Sequence, residues 1–218
     1  MRKRTYLIGT GLAALTAGGI AAATALAQPA DEMSFFVTSV GLGDGGNLGG
    51  LEGADAHCQA LADAVGAGDR TWRAYLSTLA TDGAEAINAR DRIGAGPWYN
   101  AEGVLVATDL AELHSTGNNI NKETALTELG TIVNGRGDSP NQHDILTGTG
   151  QDGRALNGTC ANWTSNRDDD FTYVGHTDLV GNPAGINFWN YSHQTAGCSQ
   201  AALVRTGGAG YFYCFAAD

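Results

Sequence analysis

The hydrophobic positions of this 218-residue chain change period several times. Phe35, Phe36, Val37 and Val40 form a short apolar run, and Ser34–Val40 reads as a first strand. A glycine-rich connection, Gly41–Gly50, follows. Ala54, Cys58, Leu61, Ala62 and Val65 then recur at i, i+4, i+7, i+8 and i+11, one face of a helix that Gly66 and Gly68 can end. Trp72–Leu79 alternates, with Trp72, Ala74 and Leu76 on one side. Trp98–Val106 reads as a hairpin turning near Glu102-Gly103. Asp109 can cap a brief helix, with Glu112 three residues on and Leu110 and Leu113 as its apolar side. Beyond Thr131, short strand candidates alternate with polar loops: Ile145–Gly148, Phe171–Val174, Ala201–Arg205 and Tyr211–Phe215. Few helices, many short strands and heavy loops predict one α+β domain, residues 28–218, with function carried on loops.

The first 27 residues follow another pattern. Arg2, Lys3 and Arg4 form a basic start, residues 7–26 run apolar and small, and Ala25-Leu26-Ala27 fits the small-x-small cleavage rule. Residues 1–27 are expected to be a signal peptide cleaved near Ala27, so that the mature chain is secreted or periplasmic. A membrane anchor is the competing reading, because the stretch is nearly long enough to span. No second run of that length occurs, so the mature chain is not expected to insert into a membrane.

Composition narrows the partners. The formal charge is −11, from 12 basic and 23 acidic residues. Without the leader, 9 basic residues face 23 acidic ones, a net −14. Nucleic acid and anionic membranes require clustered Lys and Arg, which this chain lacks, so neither is expected as a partner. Glycine accounts for 32 residues, about twice the usual share, which points to turns and loops. In an exported protein, Cys58, Cys160, Cys198 and Cys214 are an even set suited to two disulfides. Three pairings are possible and spacing does not choose among them. A cysteine metal cluster is the alternative, although no Cys-x-x-Cys pair is present.

Several pieces resemble the endostatin-like domains, a branch of the C-type-lectin-like fold. They begin with Gly49, the Gly53-Ala54-Asp55 step, Cys58, Ala64-Val65-Gly66 and Arg73-Ala74-Tyr75-Leu76-Ser77. Later come Cys160-Ala161-Asn162-Trp163-Thr164, Cys198 and Cys214, while Gly175-His176 with Asp178, Trp189-Asn190, Gly197-Cys198-Ser199-Gln200 and Tyr213-Cys214-Phe215 resemble secreted bacterial relatives. Residues 34–217 are similar throughout to secreted bacterial proteins described as lectins. The resemblance implies a single domain of short, twisted antiparallel strands with one main helix and long loops. It also implies two nested disulfides, Cys58–Cys214 and Cys160–Cys198.

Function transfers less directly. Vertebrate members of the family are linked with heparin through surface arginines and with zinc through N-terminal histidines. Residues 28–32 here contain no histidine, and nine basic residues form no evident heparin patch, so heparin is not an expected partner. Sugar-binding C-type lectins hold calcium through Glu-Pro-Asn or Gln-Pro-Asp and a Trp-Asn-Asp step. This chain has Gly181-Asn182-Pro183 and Trp189-Asn190-Tyr191 instead, without the acidic ligands.

The richest polar stretch is Asn166–His193. Asp168, Asp169 and Asp170 are adjacent carboxylates, and Asp168 and Asp170 are candidate calcium ligands. A solvated acidic loop is the competing reading. His176, Asp178, Asn187, Trp189, Asn190 and His193 are candidate ligand-binding residues, with Trp189 as a platform for sugar C–H groups and the amides for hydroxyls. The competing reading puts Trp189 in the core, with its polar neighbours tying down a loop. The five histidines, His57, His114, His143, His176 and His193, show no His-x-x-x-His or HExxH spacing, so no zinc site is expected. Arg136-Gly137-Asp138, inside Gly135–Pro140, matches an adhesion tripeptide, although Gly, Asp, Ser and Pro also favour a plain turn. No Gly-x-Ser-x-Gly elbow or recognisable carboxylate pair occurs, so no catalytic residue is expected. The sequence thus predicts a secreted, non-enzymatic binding module. Its ligand would be carbohydrate or another surface ligand held by the Cys160–Cys198 region, or an extracellular protein engaged through Arg136–Asp138.

Overall fold

A computed structural model describes Met1, residues 33–182 and residues 184–218. The cleavage site expected near Ala27 lies outside the described residues. In chain order the elements are β1 (Phe35–Val37), α1 (Gly50–Ala64), β2 (Trp72–Ala74), β3 (Trp98–Tyr99), β4 (Leu105–Ala107) and α2 (Leu110–Leu113). They continue with β5 (Asp144–Leu146), a single turn α3 (Cys160–Trp163), β6 (Tyr173–His176), β7 (His193–Gln194), α4 (Gln200–Thr206) and β8 (Gly208–Ala216). Among the described residues no helix is long and apolar enough to cross a membrane.

The last strand organises the domain. The C-terminal half of β8 lies between β1 (Phe36 opposite Cys214) and β2 (Ala74 opposite Cys214), both antiparallel. Its N-terminal half runs parallel to β5, and β6 and β7 extend the sheet from there. The expectation of antiparallel strands is therefore corrected: the six-stranded sheet is mixed, and β3 and β4 form a separate hairpin. Alternation along β8 splits the core in two. Phe212, Cys214 and Ala216 join Phe36, Cys58, Trp72 and Trp163 on one side, while Tyr213 and Phe215 join Phe35, Tyr75, Trp98 and Trp189 on the other. A strand buried on both faces must be apolar at every step, as Tyr211–Phe215 is.

Helix α1 starts earlier than its apolar stripe suggests and buries Ala54, Asp55, Cys58 and Ala62. Asp109 caps α2 by accepting from the amides of Ala111 and Glu112, as its spacing predicts. Ala201–Arg205 is not a strand but the centre of α4. Ser199 accepts from Ala202 N at its start and Gly207 ends it in the left-handed region (φ 106°), so cap chemistry overrides a short apolar run. Cys58 is bonded to Cys214 and Cys160 to Cys198, with Cα–Cα distances of 5.7 and 5.8 Å. In the chain-entropy picture the 156-residue and 38-residue separations are worth about 5 and about 4 kcal/mol. Two disulfides in an α+β domain are the chemistry of an oxidising, extracytoplasmic compartment.

Candidate functional site

The register of β5, β6 and β7 gathers the titratable groups. Asp144 lies directly opposite His176, and Val174 opposite His193. With side chains alternating along each strand, Asp144, His176 and His193 share one face of the sheet. His143 joins them from the entry to β5. Nε2 of His143, His176 and His193 lies 3.3, 3.1 and 3.5 Å from the same oxygen, Asp144 Oδ1. The Asp144 and His176 side chains are each 1% exposed, and His193, 31% exposed, stands on the solvent side.

The far side of each imidazole is already engaged. Nδ1 of His143 meets Asp178 Oδ1 at 2.8 Å, Nδ1 of His176 meets Val180 O at 2.7 Å, and Nδ1 of His193 meets Gln194 O at 2.9 Å. Carbonyl and carboxylate oxygens only accept, so each Nδ1 must carry its proton, and a neutral ring then turns the lone pair of Nε2 toward Asp144. Burial pushes the Asp144 carboxyl up, but whenever His176 and His193 carry a proton on Nε2 they donate to it and hold the carboxyl below its usual range. His193 is correspondingly raised, chiefly by its contact with Asp144. Asp178, despite partial burial, is pulled down to about 2 by His143 and by the amides of Arg136 and Val180.

The other expected ligand residues scatter. Trp189 is 2% exposed and spends its indole N–H on Leu113 O, so it belongs to the second core and cannot serve as a sugar platform. Asn190 is equally buried and donates to Tyr75 Oη at 3.0 Å. Asn187 accepts from Asn182 N at 2.8 Å within its own loop. Gly175 explains why this segment lies so close to β6: a Cβ there would stand 1.8 Å from Trp189 O. Asp168 accepts from Ser199 Oγ at 2.5 Å, whereas Asp170 accepts from Ser165 Oγ, so the two carboxylates face different partners.

Arg136 and Asp138 are exposed but already occupied. Arg136 donates its amide to Asp178 Oδ2 at 2.6 Å and its guanidinium to Gly181 O at 2.5 Å. Asp138 pairs with Lys122 at 2.7 Å and accepts from Gly135 N at 2.7 Å. Through Asp178, this turn braces His143.

A second feature lies across the domain. Cys160, Ala161, Asn162 and Trp163 all have positive φ, between 47° and 67°, a full left-handed turn without glycine. Such a conformation costs roughly 1–2 kcal/mol per residue, so tertiary contacts must impose it. Cys160 is fixed by its disulfide, Trp163 donates from its indole to Ser77 O at 2.7 Å, and Asn162 pairs with both N and O of Leu79 at 2.8 and 3.0 Å.

This turn forms one wall of a cleft of about 350 Å³ lined by Leu79, Thr81, Asn157, Asn162, Asp170 and Phe171. Gly158 makes room for Phe171, whose ring would lie 2.3 Å from a Cβ at that position. Half-buried rings continue from the cleft: Phe171 to Tyr173 at 6.0 Å, then Tyr173 to Tyr191 at 5.9 Å. Tyr173 donates to Asn157 Oδ1 at 2.9 Å and accepts from Gln194 Nε2 at 2.8 Å. These aromatics alternate with buried Thr172 and Val174, a pattern visible in the sequence but overshadowed there by Trp189. Neither a model of a known protein family nor a curated protein sequence matches this chain.

Proposed function

We propose that the chain is an exported binding domain of the endostatin-like, C-type-lectin-like type, and that it recognises a neutral carbohydrate through the cleft beside Phe171. The scaffold side of this reading is supported by the nested disulfides and by a first helix tied to the last strand, both of which the resemblance implies. The leader pattern supports export.

The observation that carries the ligand is the strip Phe171–Tyr173–Tyr191 opening into a cleft of amide, hydroxyl and carboxylate groups. Sugars present C–H faces to aromatic rings and hydroxyls to such polar groups, and a concave wall brings both together. A net charge of −14 without the leader repels sulfated chains, which is why the ligand is a neutral glycan. The strained turn holds Asn162 in place before the ligand arrives, the kind of preorganisation for which local strain is retained.

A glycan array probed with the parent and with Phe171→Ala tests the reading, with circular dichroism and non-reducing peptide mapping as fold controls. Binding to a neutral glycan, weakened about tenfold or more by Phe171→Ala, is the expected result for an aromatic anchor. A blank array, or binding indifferent to both Phe171→Ala and Tyr191→Ala, would remove it.

A further inference from the structure

We propose that His143, Asp144 and His176, with His193 closing the solvent side, form a binding site for a zinc-class divalent cation. One ligand atom each of His143, Asp144 and His176 lies within 4.8 Å of the other two. This is the one group of three or more such side chains found among the described residues. The three distances that converge on Asp144 Oδ1 are 3.3, 3.1 and 3.5 Å. In a tetrahedral zinc shell with bonds of about 2.0–2.1 Å, neighbouring ligand atoms stand about 3.3–3.4 Å apart. The three distances to Asp144 Oδ1 match that spacing.

Hydrogen bonding does not explain the cluster. Both oxygens of Asp144 and Nε2 of His176 are fully buried and have no hydrogen-bond partner, and they make up three of the five such side-chain atoms among the described residues. Buried polar atoms are otherwise paired almost without exception. The Nδ1 contacts fix the tautomers so that neutral rings aim lone pairs at a carboxylate, an arrangement that repels unless a positive charge stands between them. Supplying that charge as three imidazolium ions would exceed the two carboxylates beside them, Asp144 and Asp178, by one positive charge. A single divalent cation supplies it at one point, facing the Nε2 lone pairs and Asp144 Oδ1.

The outer contacts fit as well. Nδ1 of one imidazole is held by a carboxylate and Nδ1 of two by backbone carbonyls, the arrangement that orients metal-binding histidines. Imidazole nitrogens with a carboxylate oxygen select zinc and its first-row neighbours over calcium, which takes six to eight oxygens. His143, Asp144 and His176 supply a three-ligand core, and His193 borders it 3.5 Å from Asp144 Oδ1, which makes the ion a structural clasp between β5 and β6 with β7 alongside. The ligand cleft is formed by other residues, so failure of either proposal leaves the other standing.

The test uses the disulfide-bonded protein, stripped with chelator and titrated calorimetrically with zinc chloride and, separately, calcium chloride. One zinc per chain at micromolar affinity or tighter is expected, with no calcium heat. Asp144→Asn and His176→Gln should abolish the zinc heat, and His193→Ala should weaken it about tenfold to a hundredfold. Histidine nitrogen NMR of the unmutated protein gives a readout that does not depend on variants folding. Zinc should shift Nε2 of His143, His176 and His193 and leave His57 and His114 unmoved. No zinc binding, or shifts confined to His57 and His114, would overturn the proposal.

Discussion

Asp55 and Asp144 are both buried carboxylates at the edge of the first core, and the fold treats them in opposite ways. Asp55, on α1, accepts from Arg92 Nη2 at 2.9 and 2.7 Å, from Arg73 Nη1 at 2.9 Å and from Ala74 N at 2.9 Å. Arg92 also donates to Ala74 O, so helix, strand and arginine close into one network. Asp144, on β5, faces three imidazole nitrogens and has no hydrogen bond to either oxygen. The first arrangement is complete within the protein; the second is complete only with a cation. A buried charge therefore signals structure or binding according to whether its partners are donors or lone pairs.

The comparison breaks most visibly at Asp55. Asp55→Asn leaves Arg92, 11% exposed, without its counter-charge, and should cost about 3–5 kcal/mol in urea unfolding whether or not zinc is present. A loss below about 1 kcal/mol would mean that the network is ornamental. Next in size, zinc at about 100 times its Kd should add about 2.7 kcal/mol to the parent. The Asp55→Asn variant should gain the same increment, because the two sites share no partner. Unequal increments would show that the sites are coupled.

Asp178→Asn should weaken zinc binding about tenfold to a hundredfold while the affinity ratio among zinc, cobalt and nickel stays fixed, because Asp178 orients His143 and does not touch the ion. Unchanged affinity would separate the Arg136 turn from the site. The smallest effect concerns His114, a half-buried histidine whose Nε2 does have a partner, Tyr75 Oη at 2.7 Å. Burial lowers its pKa, so the folded chain binds fewer protons than the unfolded one below about pH 6.5, and stability falls as pH drops through that window. His114→Gln should make the acid limb of the stability curve shallower and leave zinc affinity alone.

Much of the scaffold is legible in the sequence because it rests on local periodicity. The α1 stripe, the hairpin at Glu102-Gly103, the Asp109 cap and the all-apolar last strand follow from spacing alone. The left-handed turn does not, because only Asn162 among its four residues tolerates that region readily. Its cause lies in Cys198, Ser77 and Leu79, far along the chain. β7 is two residues long, too short for any pattern. The His–Asp cluster is hidden for a related reason. Asp144 leads an apolar strand and His143 reads as loop, while the register that sets them against His176 and His193 is a tertiary fact. The sequence does offer Gly175-His176 and Asp178 as a unit, which supplies one ligand of the site and the carboxylate that orients His143; Trp189 misleads because burial and exposure of a lone tryptophan look alike in one dimension.

Urea unfolding of Asp144→Asn beside the parent, at about pH 8 where free imidazoles are neutral, tests the account most directly. In chelator the variant should match the parent within about 1 kcal/mol or exceed it, since the substitution removes a buried charge that has no hydrogen bond. With zinc at about 100 times the parent's Kd it should fall behind by about 2.7 kcal/mol. An equal loss of several kcal/mol in both conditions would place Asp144 with Asp55, as a charge already satisfied by the protein, and would contradict the account.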